Sequence, residues 1–258
     1  MLRKKVAESS KNYFDSIRWR GHEVTRIEAF SDAVFAFGVT LLIVSLEVPK
    51  SYEELMEGMK TFVPFAICFT IIFQIWHTQN MFFRRYGLHD IWTIVLNGVL
   101  LFTVLFFVYP LKFLFSGAFI ETAPKITEMH KMANLIIIYS SGYTVIFLLF
   151  GLMYFNAWKK REVLELSDEE AFETRTYMFR NFFVAALIST SILNAGVSDD
   201  YVPLSWLPYM LIGVVIAMVH RIRGRMQRKL FEQRVPDDIA FRAMDEKLPS
   251  PVPNDDVE

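Results

Sequence analysis

The sequence predicts an all-α integral membrane protein of six transmembrane helices with both termini cytoplasmic. Three observations carry that expectation. First, the 258 residues are 53% hydrophobic and 16% aromatic yet 21% charged, with a mean hydropathy of +0.30, so charged and apolar residues are segregated along the chain. Second, apolar stretches of spanning length recur at 29–48, 61–81, 91–115, 132–155, 180–196 and 204–220. About 20 helical residues cross about 30 Å of hydrocarbon. Third, of 27 basic residues, 22 fall in the two terminal segments, the second-to-third loop and the fourth-to-fifth loop. The positive-inside rule then puts those segments in the cytoplasm. The alternate loops carry eight acids against five bases.

Residues 1–24 form a basic, partly amphipathic segment suited to the inner membrane surface. No early apolar core is present, so a cleavable signal peptide is not expected. Thr25-x-x-Glu28, Ser51-x-x-Glu54 and Ser167-x-x-Glu170 are capping-box patterns that place helix starts before spans one, two and five. The fifth span is closed early by Asn194 and Gly196. Trp19, Trp92, Trp158, Trp206, Tyr109 and Tyr201 fall near span ends, where amphipathic rings favour the interface. Residues 25–223 read as one six-span unit without internal repeats. The tail over 224–258 is cytoplasmic, acidic toward its end, proline-bearing and partly disordered. Cys68, the sole cysteine, lies in the second span, which excludes an intrachain disulfide.

The chemistry of an enzyme is missing from this pattern. His22, His77, His89, His130 and His220 have no zinc spacing, and neither a phosphate loop nor a nucleophile elbow is present. No cofactor and no nucleic-acid partner are expected. Ser140 to Val145, "SSGYTV", has the look of a carbonyl filter, but it lies in the middle of an uninterrupted span and has no second glycine. It reads instead as a small-residue packing face using Ser141 and Gly142.

The first span is distinctive. At about 100° per residue, Phe37, Leu41 and Val44 fall within about 40° of one line, and Thr40 lies about 60° to its side. Ser31 and Asp32 point roughly 120–140° away from that line. An ionised aspartate in a membrane costs several kcal/mol unless paired. Arg26 is the near counter-charge, and Trp76, His77, Gln79 and Asn80 on the antiparallel second span lie at a matching depth. The residues alone leave three alternatives. The stripe lines a pore and Asp32 is a structural clamp; Asp32 is the proton or sodium site of a secondary transporter; or the stripe is the interface of a non-conducting scaffold.

Arg26-x-x-x-Phe30-Ser31-Asp32 resembles the R-x-x-x-F-S-D signature of the transmembrane protein 175 potassium-channel family. The "AVFAFGVTLLIVSLEVP" that follows is similar to that family's first helix. Trp76, Asn80 and Phe83 match its W-x-x-x-N-x-x-F arrangement, and Asp90 and Asn97 match its third-helix D-x6-N pattern. The likeness is residue by residue over about 25–115 and is carried beyond that by span number. It implies a potassium-permeable cation channel without a carbonyl filter: a homotetramer in the cell (inner) membrane, whose first helices surround a central pore. The pore constriction then falls on Phe37, Leu41 and Val44, and the selectivity layer on Thr40. Arg26, Phe30, Ser31, Asp32, Trp76 and Asn80 form the structural motif. The partners implied are permeant potassium ions and the lipid bilayer. There are two departures from the pattern: Phe37 stands where isoleucine or leucine is usual, and Gln79 and Asn80 stand at the histidine positions.

Overall fold

The computed structural model describes residues 19–21, 23–44, 50–60, 62–119, 129–215, 217–219 and 221. Every regular element among them is helical. In order these are α1 (Arg26–Val44), α2 (Tyr52–Lys60), α3 (Phe62–Tyr86), α4 (Ile91–Phe119), α5 (Met129–Lys159), α6 (Asp168–Val197) and a 3-10 helix (Asp199–Trp206). Helix resumes over 207–215. The chain divides into compact units at Ile212 and Gly213; of the second, only 213–215, 217–219 and 221 are described, all helical. The expected character of residues 1–18 and 224–258 lies outside the described residues.

Among the described residues five stretches are long and apolar enough to cross a membrane: Gly58–Tyr86, Ile91–Val108, His130–Lys159, Asp168–Val197 and Asp200–Val219. They overlie the expected spans two to six. The first expected span overlaps α1, whose 19 residues begin at Arg26, three before it, and include Glu28 and Asp32; its last expected residues, 45–48, are not described.

The Ser167 signal forms the full reciprocal box. Glu170 N–H donates to Ser167 Oγ at 3.2 Å, and Ser167 N–H donates to the Glu170 carboxylate at 3.1 Å. At Thr25 the box is incomplete: the hydroxyl donates to the Glu28 carboxylate at 2.8 Å, and Glu28 N–H reaches Thr25 Oγ1 only at 3.5 Å. Ser51 precedes a helix, as expected, but it is the separate short α2 and not the spanning α3.

In lipid the hydrophobic effect does not bring helices together, so packing and polar contacts must. Both are visible here. α5 and α6 form the most extensively packed pair, α4 packs on α5, and α1 lies against α3 and α4. Phe82, Phe83 and Tyr86 are fully buried at the end of α3, with Tyr154 of α5 edge-on to Phe82 at 5.3 Å and to Tyr86 at 5.9 Å. Residues 140–145 lie within continuous α5, whose carbonyls belong to the helix ladder. Gly142 is the packing residue foreseen there: a Cβ on it would run into the Phe107 ring of α4. Its companion is corrected, since Ser141 is exposed and bonds only its own helix. Ser140 is the inward serine, 2.8 Å from the Tyr209 hydroxyl.

α5 and α6 have 31 and 30 residues, hence lengths of about 45 Å. That exceeds the hydrocarbon thickness by roughly 15 Å, and every charged residue of α6 lies in its first half, at the end joined to α5. Buried charge concentrates at that end. Arg85 on α3 meets Glu173 on α6 at 2.6 Å. Thr174 spends its proton on the Glu170 carbonyl at 2.6 Å and therefore accepts from the Tyr86 hydroxyl at 2.8 Å.

Candidate functional site

α1 has two faces. Ser31, Phe35, Gly38 and Leu42 are buried, and Gly38 lies close to Leu105 and Val108 of α4. The opposite stripe is exposed: Arg26, Ala29, Phe30, Ala33, Ala36, Phe37, Thr40 and Leu41 recur at helical spacing. Phe37 is 57% exposed and Leu41 40%. Val44 ends the helix, and its side chain lies outside the described residues.

The buried face is anchored by two polar connections to different helices. Trp76 Nε1 of α3 donates to Asp32 Oδ1 at 2.7 Å, a charge-assisted bond. The second is a directed chain across three helices. Gln79 Nε2 on α3 donates to Asn97 Oδ1 on α4 at 3.1 Å. Asn97 Nδ2 donates to Ser31 Oγ at 2.9 Å, and Ser31 donates to the Ile27 carbonyl of its own helix at 2.7 Å. Ser31, Gln79 and Asn97 are each at most 1% exposed. In a water-poor interior each unmade bond costs about 1–3 kcal/mol, so the chain is held as a unit.

Three expected members of this cluster stand elsewhere. Arg26 is not the partner of Asp32. Six residues turn a helix through about 600°, which leaves the two side chains about 120° apart, and Arg26 is exposed with no ion pair among the described residues. Phe30 is 62% exposed on the open stripe. Asn80 is half-buried and makes no side-chain hydrogen bond among the described residues; the adjacent Gln79 does that work. Of the two residues matched in the D-x6-N pattern, Asn97 belongs to this cluster and Asp90 does not. Asp90 precedes α4 and accepts from Thr93, Asn156 and Lys160 at 2.8 to 3.2 Å. Burial pushes its carboxyl upward, but the bonds from Thr93, Lys160 and Asn156 outweigh this and bring it down to about 2.

The geometry of Thr40 bears on its chemistry. Its hydroxyl donates to the Ala36 carbonyl at 2.9 Å. The proton is therefore directed along the helix, and the oxygen lone pairs remain on the exposed side. A cation or the oxygen-ordered water around it needs acceptors of that kind.

Three comparisons bear on this arrangement. The family described as "Endosomal/lysosomal potassium channel TMEM175" matches residues 26–110. A potassium channel of Marivirga tractuosa is 36% identical over 245 residues, covering 89% of this chain and 99% of the relative. This chain is a member of the transmembrane protein 175 family. The fold agrees: a crystal structure of a threonine-to-alanine variant of the potassium channel MtTMEM175, in complex with a nanobody–MBP fusion protein, superposes with a TM-score of 0.73 at 35% identity. That match covers 81% of this chain and 97% of the other. A homologue from Chamaesiphon minutus, described as a lysosomal potassium-selective channel homologue, shares the fold with a TM-score of 0.50 at 22% identity, covering 78% and 96%. The relatives are channels, not enzymes. The matched 26–110 of the family contains both anchors and the whole described length of α1.

Proposed function

We propose that this chain is a potassium-permeable cation channel. In this reading four copies surround a central path with their α1 helices, and ions pass by passive flux. Phe37, Leu41 and Val44 form an apolar constriction, and Thr40 supplies a ring of hydroxyl acceptors in place of a carbonyl filter. Both termini are cytoplasmic, and the resident membrane is the cell (inner) membrane. Potassium is the permeant ion and not a bound cofactor.

The observation that supports this best is the division of α1. Its polar residues Ser31 and Asp32 turn into the protomer, while the stripe with Phe37, Thr40 and Leu41 is open along the helix. A helix anchored from behind by two neighbours leaves its front free to converge with copies of itself. Apolar rings of this kind exclude water and force an ion to shed hydration.

Reconstitution of the purified protein in liposomes, with potassium, sodium and proton flux compared, tests the proposal. Passive, potassium-preferring flux is expected. Saturating flux driven by a proton gradient would give the transporter that uses Asp32; absence of flux from an assembled oligomer would give the scaffold.

A further inference from the structure

Just ahead of α1 the chain passes through a second grip that the clamp inside the bundle does not use. Arg20 Nη1 and Nη2 donate to the two carboxylate oxygens of Glu170 at 3.0 and 2.9 Å. Its Nε donates to the Leu164 carbonyl at 2.8 Å, and Nη2 also donates to the Glu165 carbonyl at 3.1 Å. The side chains are 12% and 4% exposed. A bidentate, largely buried pair of this kind is held far more firmly than a surface ion pair. The backbone is gripped as well: the N–H groups of Arg20 and Gly21 both donate to the Arg84 carbonyl, at 3.2 and 3.0 Å. Gly21 fits there only as glycine, because a Cβ would lie 2.9 Å from the Phe83 carbonyl oxygen. Arg84 in turn stacks its guanidinium over the Trp19 ring at 5.3 Å.

This grip draws on the end of α3, the turn between α5 and α6, and the first turn of α6 itself. α1 starts at Arg26, so the few residues between leave little slack.

We propose that Arg20, held by Glu170, is a positioning residue for α1: the latch sets where the start of that helix stands and, through it, the width of the ion path. This rests on the reading of α1 as the pore helix. It assigns the charged α5–α6 turn as the place where a displacement outside the membrane is converted into a change at the constriction.

The test uses the full-length oligomer in liposomes and two readouts. One is potassium flux per assembled channel; the other is amide hydrogen exchange over residues 23–32. Arg20→Gln is expected to raise exchange there and change flux on the order of three- to tenfold, within the range of couplings carried by such networks. Arg20→Lys keeps the charge without the planar fork and should fall between Gln and the parent. Glu170→Gln, which preserves the helix cap, supplies the same lesion from the other side if Arg20→Gln assembles poorly. Arg85→Gln removes an equally buried pair that does not touch Arg20, and should lower thermal stability while leaving flux per channel near the parent. Exchange and flux unchanged in Arg20→Gln and Glu170→Gln would overturn the latch, as would an identical flux change in Arg85→Gln. A parent that does not conduct, with exchange still responding to Arg20→Gln, would remove the pore reading and leave the positioning role intact.

Discussion

Thr40 has one hydroxyl proton, and the Ala36 carbonyl takes it. The oxygen can then only accept on its exposed side, so valine, nearly the same shape, deletes the acceptor and little else. Thr40→Val is expected to lower the preference for potassium over sodium with the oligomer intact; an unchanged reversal potential under bi-ionic conditions would remove this role. Phe37 poses the opposite question, one of bulk. It is 57% exposed within the protomer, so shortening it opens no cavity in the protomer core. Four phenylalanine rings meeting on an axis close it more fully than the branched aliphatics usual at this position, and basal conductance should be low. Phe37→Ala should wet the constriction and raise cation flux. If Phe37 instead packs between subunits, the same change costs on the order of 3–5 kcal/mol with no gain in flux. Current and thermal stability of the variant, measured together, separate the two. Asp32 belongs to neither question. Its carboxylate is the acceptor for Trp76, and Asp32→Asn should weaken the oligomer or lower its melting temperature. Normal assembly and stability with abolished flux would make Asp32 an ion site.

Between helices, the legible and the hidden features divide along a physical line. Spans, the Ser167 cap and the two faces of α1 follow from sequence because each depends only on local period and local chemistry. Asp32 and Ser31 were conspicuous for the same reason. On the second span the sequence narrows their partners to Trp76, His77, Gln79 and Asn80 without choosing among them, because contact across helices depends on the rotation of each helix about its axis. Arg26 looked like the counter-charge by proximity in sequence, and Trp76, 44 residues away, holds the carboxylate. Glu170 is legible only as a cap residue, and Glu173 and Thr174 go unread although the three recur at helical spacing on one face at the start of α6. Two element-level tests follow. Gly142→Ala sets a methyl group into the buried Phe107 ring, so α4 and α5 must part or the ring must turn. A loss of about 1–3 kcal/mol is expected in thermal or denaturant unfolding. Asp90 joins the start of α4 to the end of α5, and its carboxyl is held at about 2. A depressed carboxyl stabilises the fold fully above its ordinary range near pH 4, and the contribution disappears as pH falls toward 2. Melting temperature should therefore drop through that window in the parent and drop less in Asp90→Asn.

The assembled molecule is an arrangement of long helices whose charges collect at one end. That end carries three ion pairs, Arg20 with Glu170, Arg85 with Glu173 and Lys160 with Asp90. With 22 of 27 basic residues on segments assigned to the same side, a tag after Glu258 should be digested in inside-out vesicles and protected in right-side-out ones. The reverse pattern would invert the topology. Native mass measurement should give four chains. One further feature acts across the whole bundle. Cys68, the sole cysteine, is 1% exposed on α3 within the main core. A maleimide dye reaches that sulfur only when the helices around it part, so its reaction rate times the opening of the bundle from the inside. The chain therefore contains its own clock, and ligands, lipids or substitutions that tighten the assembly can be ranked by how long that single thiol stays dark.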